Sequence, residues 1–286
     1  MVSERIAKPN ILVIERAGQK FASQCNFAVS EQNSYMAASL YEDALRYPCT
    51  STLKQSDLSN YHLNGPVFGL PGLYHLYIDD EPTDFVCKTC KETEYRRGQV
   101  LFGVLKYNPC PNLTSGEVRD LISTEAGDNH KYVMIMPFYG FSIEVRPFGV
   151  QLLHRLHDDM MTALNHLHSL EFAHMDVKPA NICLGNNRFV LIDIGSTVPF
   201  GNRTDSTVAY LTSEHQEKYL SNGLVASASV DFWMLAIVLW EKSPNSPITP
   251  GLGAVQPEKS VVVKGLQDSG LEFLRQYATF LTTEHN

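Results

Sequence analysis

Long hydrophobic runs are missing from this chain of 286 residues. The longest apolar stretch, Phe232 to Trp240, has nine residues, whereas a bilayer-spanning helix takes about 20. That run suits a buried core helix, and no membrane partner is expected. The first residues, Met1-Val2-Ser3-Glu4-Arg5, lack the basic start and apolar stretch of a secretory signal, and Val2 excludes N-myristoylation. An excess of positive charge is also missing. Lys plus Arg number 23 against 31 Asp plus Glu, a net charge of −8, so no nucleic-acid partner is expected, because binding the phosphate backbone takes clustered cations. Cysteine is sparse: Cys25, Cys49, Cys87, Cys90, Cys110 and Cys183 form no paired framework. A reducing compartment is therefore expected, the cytoplasm first and the nucleus as the alternative. Cys87-x-x-Cys90 reads as half a zinc site, a redox pair, or two small apolar residues on a strand. No second Cys or His pair at metal spacing accompanies it.

What is present is ordinary globular material: 44% apolar and 19% charged residues. At roughly 150 residues per domain the length suggests two domains or one bilobal unit. Residues 1–60 carry no motif and are read as an N-terminal extension of unassigned role. From 61 to 90 the pattern changes. Gly65, Gly69 and Gly72 punctuate a stretch containing Pro66 and Pro71. Then come a strand-rich run, Leu73 to Ile78, a turn at Asp79-Asp80-Glu81-Pro82, and a second strand from Asp84 to Cys90. This order predicts an antiparallel hairpin with a glycine-rich front edge. A helix is predicted over Glu92–Lys106, and a buried strand over Lys131–Met136, stopped by Pro137. Leu153, Leu156, Met160, Leu164 and Leu167 recur at spacings of 3, 4, 4 and 3, the signature of an amphipathic helix over 149–170. A short strand, Arg188–Ile192, follows a polar loop. An apolar helix is predicted over 225–241, a loop over Ser243–Gly253, and one final helix over 266–282.

The chemistry concentrates in His174-Met175-Asp176-Val177-Lys178-Pro179-Ala180-Asn181, with Asp193-Ile194-Gly195 twelve residues beyond Asn181. A carboxylate, an ammonium and a carboxamide lie within six residues on one loop, and a second carboxylate sits on a turn after a short strand. Asn and Asp oxygens form a hard, incomplete cage that suits Mg²⁺, which keeps substrate phosphate oxygens among its ligands. Asp176 is placed to orient or deprotonate a hydroxyl, and Lys178 to neutralise charge on a transferring phosphoryl group. Alone, each acid is more often a turn or loop residue; their joint spacing carries the reading. His154, His157, His166 and His168 crowd one helix, an arrangement commoner as surface imidazoles than as a metal site.

These stretches resemble the protein kinase superfamily of Ser/Thr type, whose catalytic loop is H-R-D-x-K-P-x-N and whose metal motif is D-F-G. Here they stand as H-M-D-V-K-P-A-N and D-I-G. Thr207-x-x-Tyr210-Leu211-x-x-Glu214 resembles the end of the family's activation segment, and Asp231-Phe232-Trp233 with Leu239-Trp240-Glu241 resembles the buried helix after it. The resemblance covers about residues 61–241 and is strongest from 130 onward. It implies an α+β, bilobal protein-kinase-like fold, with a small β-rich N-lobe over 61–137 and a mainly helical, shortened C-lobe over 138–286. It also implies ATP and Mg²⁺ as cofactors, a protein substrate, and transfer of the γ-phosphoryl group to Ser or Thr hydroxyls. By position, Asp176 is then the catalytic base with Lys178 beside it, and Asn181 and Asp193 hold metal. His174 braces the loop and Asp231 ties its backbone down. In the N-lobe the phosphate-pairing lysine is Lys88, with Lys106 as competitor, and its partner acid is Glu94 or Glu92. Gly69 and Gly72 belong to a phosphate-covering loop, although the glycines do not fall on G-x-G-x-x-G. Met136 is the gatekeeper, and Pro137-Phe138-Tyr139 the hinge, offering adenine the Pro137 carbonyl and the Tyr139 N–H.

Met175 stands where the family has an arginine that pairs with activation-loop phosphate, and a thioether makes no charge-assisted bond. Activity independent of phosphorylation at Thr204 or Ser206 is therefore expected. The irregular glycines and the ambiguous helix acid leave a pseudokinase scaffold as an alternative. A kinase-like small-molecule phosphotransferase is another.

Overall fold

The computed structural model describes residues 61–66, 72–79, 81–120, 132–140, 142–144, 148–185, 187–244, 246–247 and 257–285. The extension expected over 1–60, and Gly69, lie outside the described residues. The chain divides into two compact units. The first comprises residues up to Tyr95 together with Gly116–Phe138; the second comprises Arg96–Ser115 and Tyr139–Asn286. This division groups residues 96–115 with the second unit and Phe138 with the first.

The first unit is built on an antiparallel sheet. Its strands are β1 (Tyr61–Pro66), β2 (Leu73–Ile78), β3 (Glu81–Cys90), β4 (Glu117–Asp120) and β5 (Tyr132–Pro137), in the spatial order β1-β2-β3-β5-β4. The β2–β3 hairpin matches the sequence expectation and begins where Gly72 takes a φ of 81°. A left-handed turn of this kind suits glycine, which has no Cβ to clash. The Gly72 carbonyl accepts the Thr89 N–H at 2.7 Å. Alternation on the strands sends Leu76, Phe85, Cys87, Val133 and Ile135 into one core, with Leu63 and Ile78 packed against it. Cys87 and Cys90 are both buried on β3, and burial pushes the Cys87 thiol well up. Among the described residues no group of three or more His, Cys, Asp or Glu is arranged to hold a metal.

Helix α1 (Glu92–Tyr107) follows β3, and the stretch after it is pinned to the second unit. Thr114 N–H donates to the Leu191 carbonyl and Leu191 N–H to the Asn112 carbonyl, both at 2.9 Å. The second unit is mainly helical. It contains α2 (Val150–Ser169), α3 (Ser213–Asn222), α4 (Ala228–Lys242), α5 (Lys259–Asp268) and α6 (Glu272–Glu284). The leucine stripe of α2 is wholly buried, as its periodicity requires. Helix α4 is buried from Val230 to Lys242. No described helix is long and apolar enough to cross a membrane. Paired strands tie the loops together: β6 (Phe172–Ala173) with β9 (Val198–Pro199), β7 (Ile182–Gly185) with β8 (Arg188–Leu191), and β10 (Arg203–Thr204) with β11 (Leu224–Val225).

Two expectations are corrected. The single helix expected over 266–282 is two helices, because Gly270 takes a φ of 76° after Ser269 and breaks the chain between α5 and α6. The helix expected from 225 begins at Ala228, because Leu224 and Val225 pair with β10 and Ser227 is extended.

Candidate active site

The loop between β6 and β7 is held from beneath by one acid. Asp231, in the first turn of α4 and fully buried, accepts the His174 N–H at 2.8 Å and the Met175 N–H at 2.7 Å. His168 on α2 donates its Nε2–H to the same carboxylate at 2.9 Å. Those bonds hold Met175 at a φ of 65°, a left-handed conformation that costs a non-glycine residue roughly 1–3 kcal/mol and persists only where the surroundings enforce it. His174 then links two segments. Its Nε2–H donates to the Ile192 carbonyl at 3.0 Å, and its Nδ1 accepts the Asp176 N–H at 3.3 Å. The imidazole thus bridges the loop and the residue before Asp193, donating from Nε2 and accepting at Nδ1.

Around Asp176 the expected groups come together. Lys178 Nζ lies 2.8 Å from Asp176 Oδ2, and Asn181 Nδ2 donates to the same oxygen at 2.8 Å and to the Asp176 carbonyl at 2.9 Å. Asp176 Oδ1 accepts the Thr207 N–H at 3.2 Å, while Lys178 Nζ donates to Thr207 Oγ1 at 2.7 Å. Burial alone would raise the Asp176 pKa. The hydrogen bonds from Lys178 and Thr207 and the Lys178 charge outweigh it, so the carboxyl sits below its ordinary value. Asp176 is therefore ionised at neutral pH, and a weak base suited more to orienting a hydroxyl than to stripping it.

Asp193 follows β8 in a left-handed conformation, φ 58°, with Oδ1 accepting the Gly195 N–H at 3.4 Å. Asn181 commits its amide nitrogen to Asp176, which leaves its oxygen as the donor it can offer a cation. A carboxylate and a carboxamide oxygen fit Mg²⁺, which binds through one or two such groups and completes its shell with water and phosphate oxygens.

On the first unit, Lys88 of β3 forms an ion pair with Glu94 of α1 at 3.4 Å, which favours Glu94 over Glu92 as the acid. Lys106 lies exposed in the last turn of α1. Gly72 is fixed beside Thr89, next to Lys88, and its neighbour Leu73 pairs with Lys88 across β2–β3. Met136, buried, pairs with Val86, and Pro137 pairs with Phe85. On the second unit, Tyr139 Oη accepts the Ser115 N–H at 3.0 Å. Its carbonyl lies so close to Gly185 that a Cβ there would overlap it.

Sequence reading missed several supports. His168 was grouped with surface imidazoles. Gly185 carried no signal beyond its hairpin position. Tyr210 Oη donates to Glu241 Oε2 at 2.7 Å, and Glu241 Oε1 pairs with the buried Lys242 ammonium at 2.8 Å. Burial and the Glu241 charge push the Tyr210 phenol well up. Arg97 on α1 reaches Gly195 and Thr204, contacts that no local pattern announces.

Comparison with known proteins agrees with this architecture. The family model described as the protein kinase domain matches residues 124–265. The mitogen-activated protein kinase kinase mkk2 of Aspergillus fumigatus is 28% identical over 116 residues, 40% of this chain and 23% of that protein. The serine/threonine-protein kinase AtPK1/AtPK6 of Arabidopsis thaliana is 28% identical over 107 residues, 37% of this chain and 23% of that protein. An Aurora kinase of Eremothecium gossypii is 34% identical over 94 residues, 31% of this chain and 24% of that protein. The matched stretches thus span about a quarter of these relatives' own length. Among solved structures, the Cydia pomonella granulovirus kinase PK-1 superposes with a TM-score of 0.58 at 19% identity, covering 78% of this chain and 89% of that one. The fold is an α+β protein-kinase fold, and the match of residues 124–265 to the protein kinase domain supports membership of the protein kinase superfamily.

Proposed function

We propose that the protein is an ATP-dependent Ser/Thr kinase acting on protein hydroxyls, in the cytoplasm or nucleus. The observation that carries this reading is the set of bonds joining Asp176 to Lys178, Asn181 and Thr207. Asp176 orients the acceptor hydroxyl and takes up its proton. Lys178 stands beside it to balance charge on the phosphoryl group, and Thr207 fixes both. Asn181 and Asp193 would supply oxygens to Mg²⁺, which, bound with ATP, would neutralise charge on the triphosphate. On the first unit, Lys88, held by Glu94, is the lysine proposed to pair with phosphates, with Gly72 beside it, and Met136 and Pro137 are proposed to receive adenine; on the second unit, Tyr139 is proposed for the same role. A loose transition state needs mainly such positioning and charge neutralisation, which suits an aspartate of lowered basicity. Lys178 and Thr207, bonded to each other, are the grounds for Ser/Thr specificity.

The pseudokinase reading keeps the irregular glycine pattern in its favour. The small-molecule reading is disfavoured by the activation-segment motif from Thr207 to Glu214. A thermal shift with ATP and Mg²⁺, followed by γ-phosphate transfer to a generic protein substrate, separates the three. A kinase shows both; a scaffold binds without transfer or fails to bind; a small-molecule enzyme binds and leaves the protein unlabelled.

A further inference from the structure

We propose that Arg97 is a positioning residue that holds the segment from Gly195 to Thr207 in its working conformation without phosphate; the proposal rests on the kinase reading above. The segment is held through its middle by the Phe200, Gly201 and Asn202 backbone and by Arg203, which bond to Glu171, Ala226 and Gly223, but these contacts touch neither the Gly195 end nor Thr204. Phe200, Gly201, Asn202, Arg203 and Asp205 are exposed, and its only strands, β9 and β10, are two residues each. Yet Thr207 must stay where its N–H meets Asp176 and its hydroxyl meets Lys178.

One guanidinium nitrogen bridges the far ends of this stretch. Arg97 Nη1 donates to the Gly195 carbonyl at 2.9 Å and to Thr204 Oγ1 at 3.0 Å. The first contact fixes the residue whose N–H is bonded to Asp193. The second fixes a threonine three positions before Thr207. Thr204 is only 7% exposed, so its hydroxyl serves as an internal acceptor in its unmodified form. Near Asp176, Met175 offers a buried thioether and no charge. Ser206 Oγ is buried without a hydrogen-bond partner among the described residues, and no cationic group is bonded to it that would receive a phosphate. The two ends of the segment are therefore joined through unmodified groups, the Gly195 carbonyl and the Thr204 hydroxyl, with Arg97 as the cation between them. A lysine would keep the charge but ends in a more strongly hydrated ammonium on a flexible stem, so it replaces arginine only in part.

The test uses the full chain, dephosphorylated, as wild type, Arg97→Lys and Arg97→Met. Amide hydrogen exchange over 195–207 is measured beside steady-state transfer to a protein substrate. Arg97→Met is expected to raise exchange in that segment and lower kcat by roughly tenfold, the equivalent of one charge-assisted hydrogen bond. KM for ATP and the melting temperature should stay near wild type, and Arg97→Lys should fall between the two. Wild-type exchange over 195–207 in Arg97→Met overturns the proposal, as does a wild type that transfers phosphate only after Thr204 or Ser206 is phosphorylated. If the wild type transfers nothing under any condition, the kinase reading fails, while the exchange contrast still decides the role of Arg97.

Discussion

Lys178 and His215 show how single side chains set this protein's behaviour. Lys178 is the cation that keeps Asp176 ionised despite burial, and it also holds Thr207. Replacing it with methionine removes a charge-assisted bond, worth about 1.5–3 kcal/mol, so Lys178→Met is expected to slow phosphoryl transfer by roughly 10- to 100-fold. It should also raise the pKa governing the acid limb of the pH–rate profile. An unchanged acid limb would detach Lys178 from Asp176. His215, buried on α3, is lowered to about 4 from its ordinary 6.5 by burial and then by the charges of Lys259 and Lys218. Its folded pKa lies below the unfolded one, so the unfolded chain takes up the proton first as pH falls. Stability is therefore unaffected above pH 6.5 and declines between about 6.5 and 4, by up to about 3 kcal/mol. Thermal melts across that range should show a steeper acid loss for wild type than for His215→Asn. Parallel curves would remove His215 from the account.

At the scale of elements, the first turn of α4 organises the loop that carries His174, Met175 and Asp176. Asp231 satisfies two backbone N–H groups and one imidazole, and leaving buried donors without an acceptor costs about 1–3 kcal/mol each. Asp231→Ala is expected to lower Tm by several degrees and to weaken transfer, because the left-handed Met175 loses its restraint. A melt indistinguishable from wild type would contradict this. The Lys88–Glu94 pair joining β3 to α1 behaves differently. Both side chains are about a quarter exposed (27% and 26%), and pairs of this kind contribute under about 1 kcal/mol. Lys88→Met should therefore leave Tm nearly unchanged while abolishing the thermal shift given by ATP and Mg²⁺. A variant that melts early yet still binds nucleotide would make the pair structural.

Over the whole molecule, legibility in the sequence followed separation along the chain. Asp176, Lys178 and Asn181 fall within six positions, so their meeting was readable from a linear motif. The Lys88–Glu94 pair, six residues apart, was readable with an alternative left open. Arg97 meets partners 98 and 107 residues away, and His168 meets Asp231 across 63; such contacts exist only once the helices pack. The same holds for the fold. Helix α2 announced itself by a leucine stripe, and the β2–β3 hairpin by its turn. β4, four residues reading Glu-Val-Arg-Asp, and α3, with one buried residue, gave no pattern to read. The break at Gly270 was missed because a lone glycine in a helical stretch is often tolerated.

The central claim is that Asp176 directs transfer of a phosphoryl group from ATP. Its most direct test is autophosphorylation of the full chain by ATP and Mg²⁺, wild type against Asp176→Ala. The account predicts labelling of the wild type and a loss of roughly 10²- to 10⁴-fold in the variant, with the nucleotide-induced thermal shift retained. Equal labelling of the two proteins, or none in either, would contradict it.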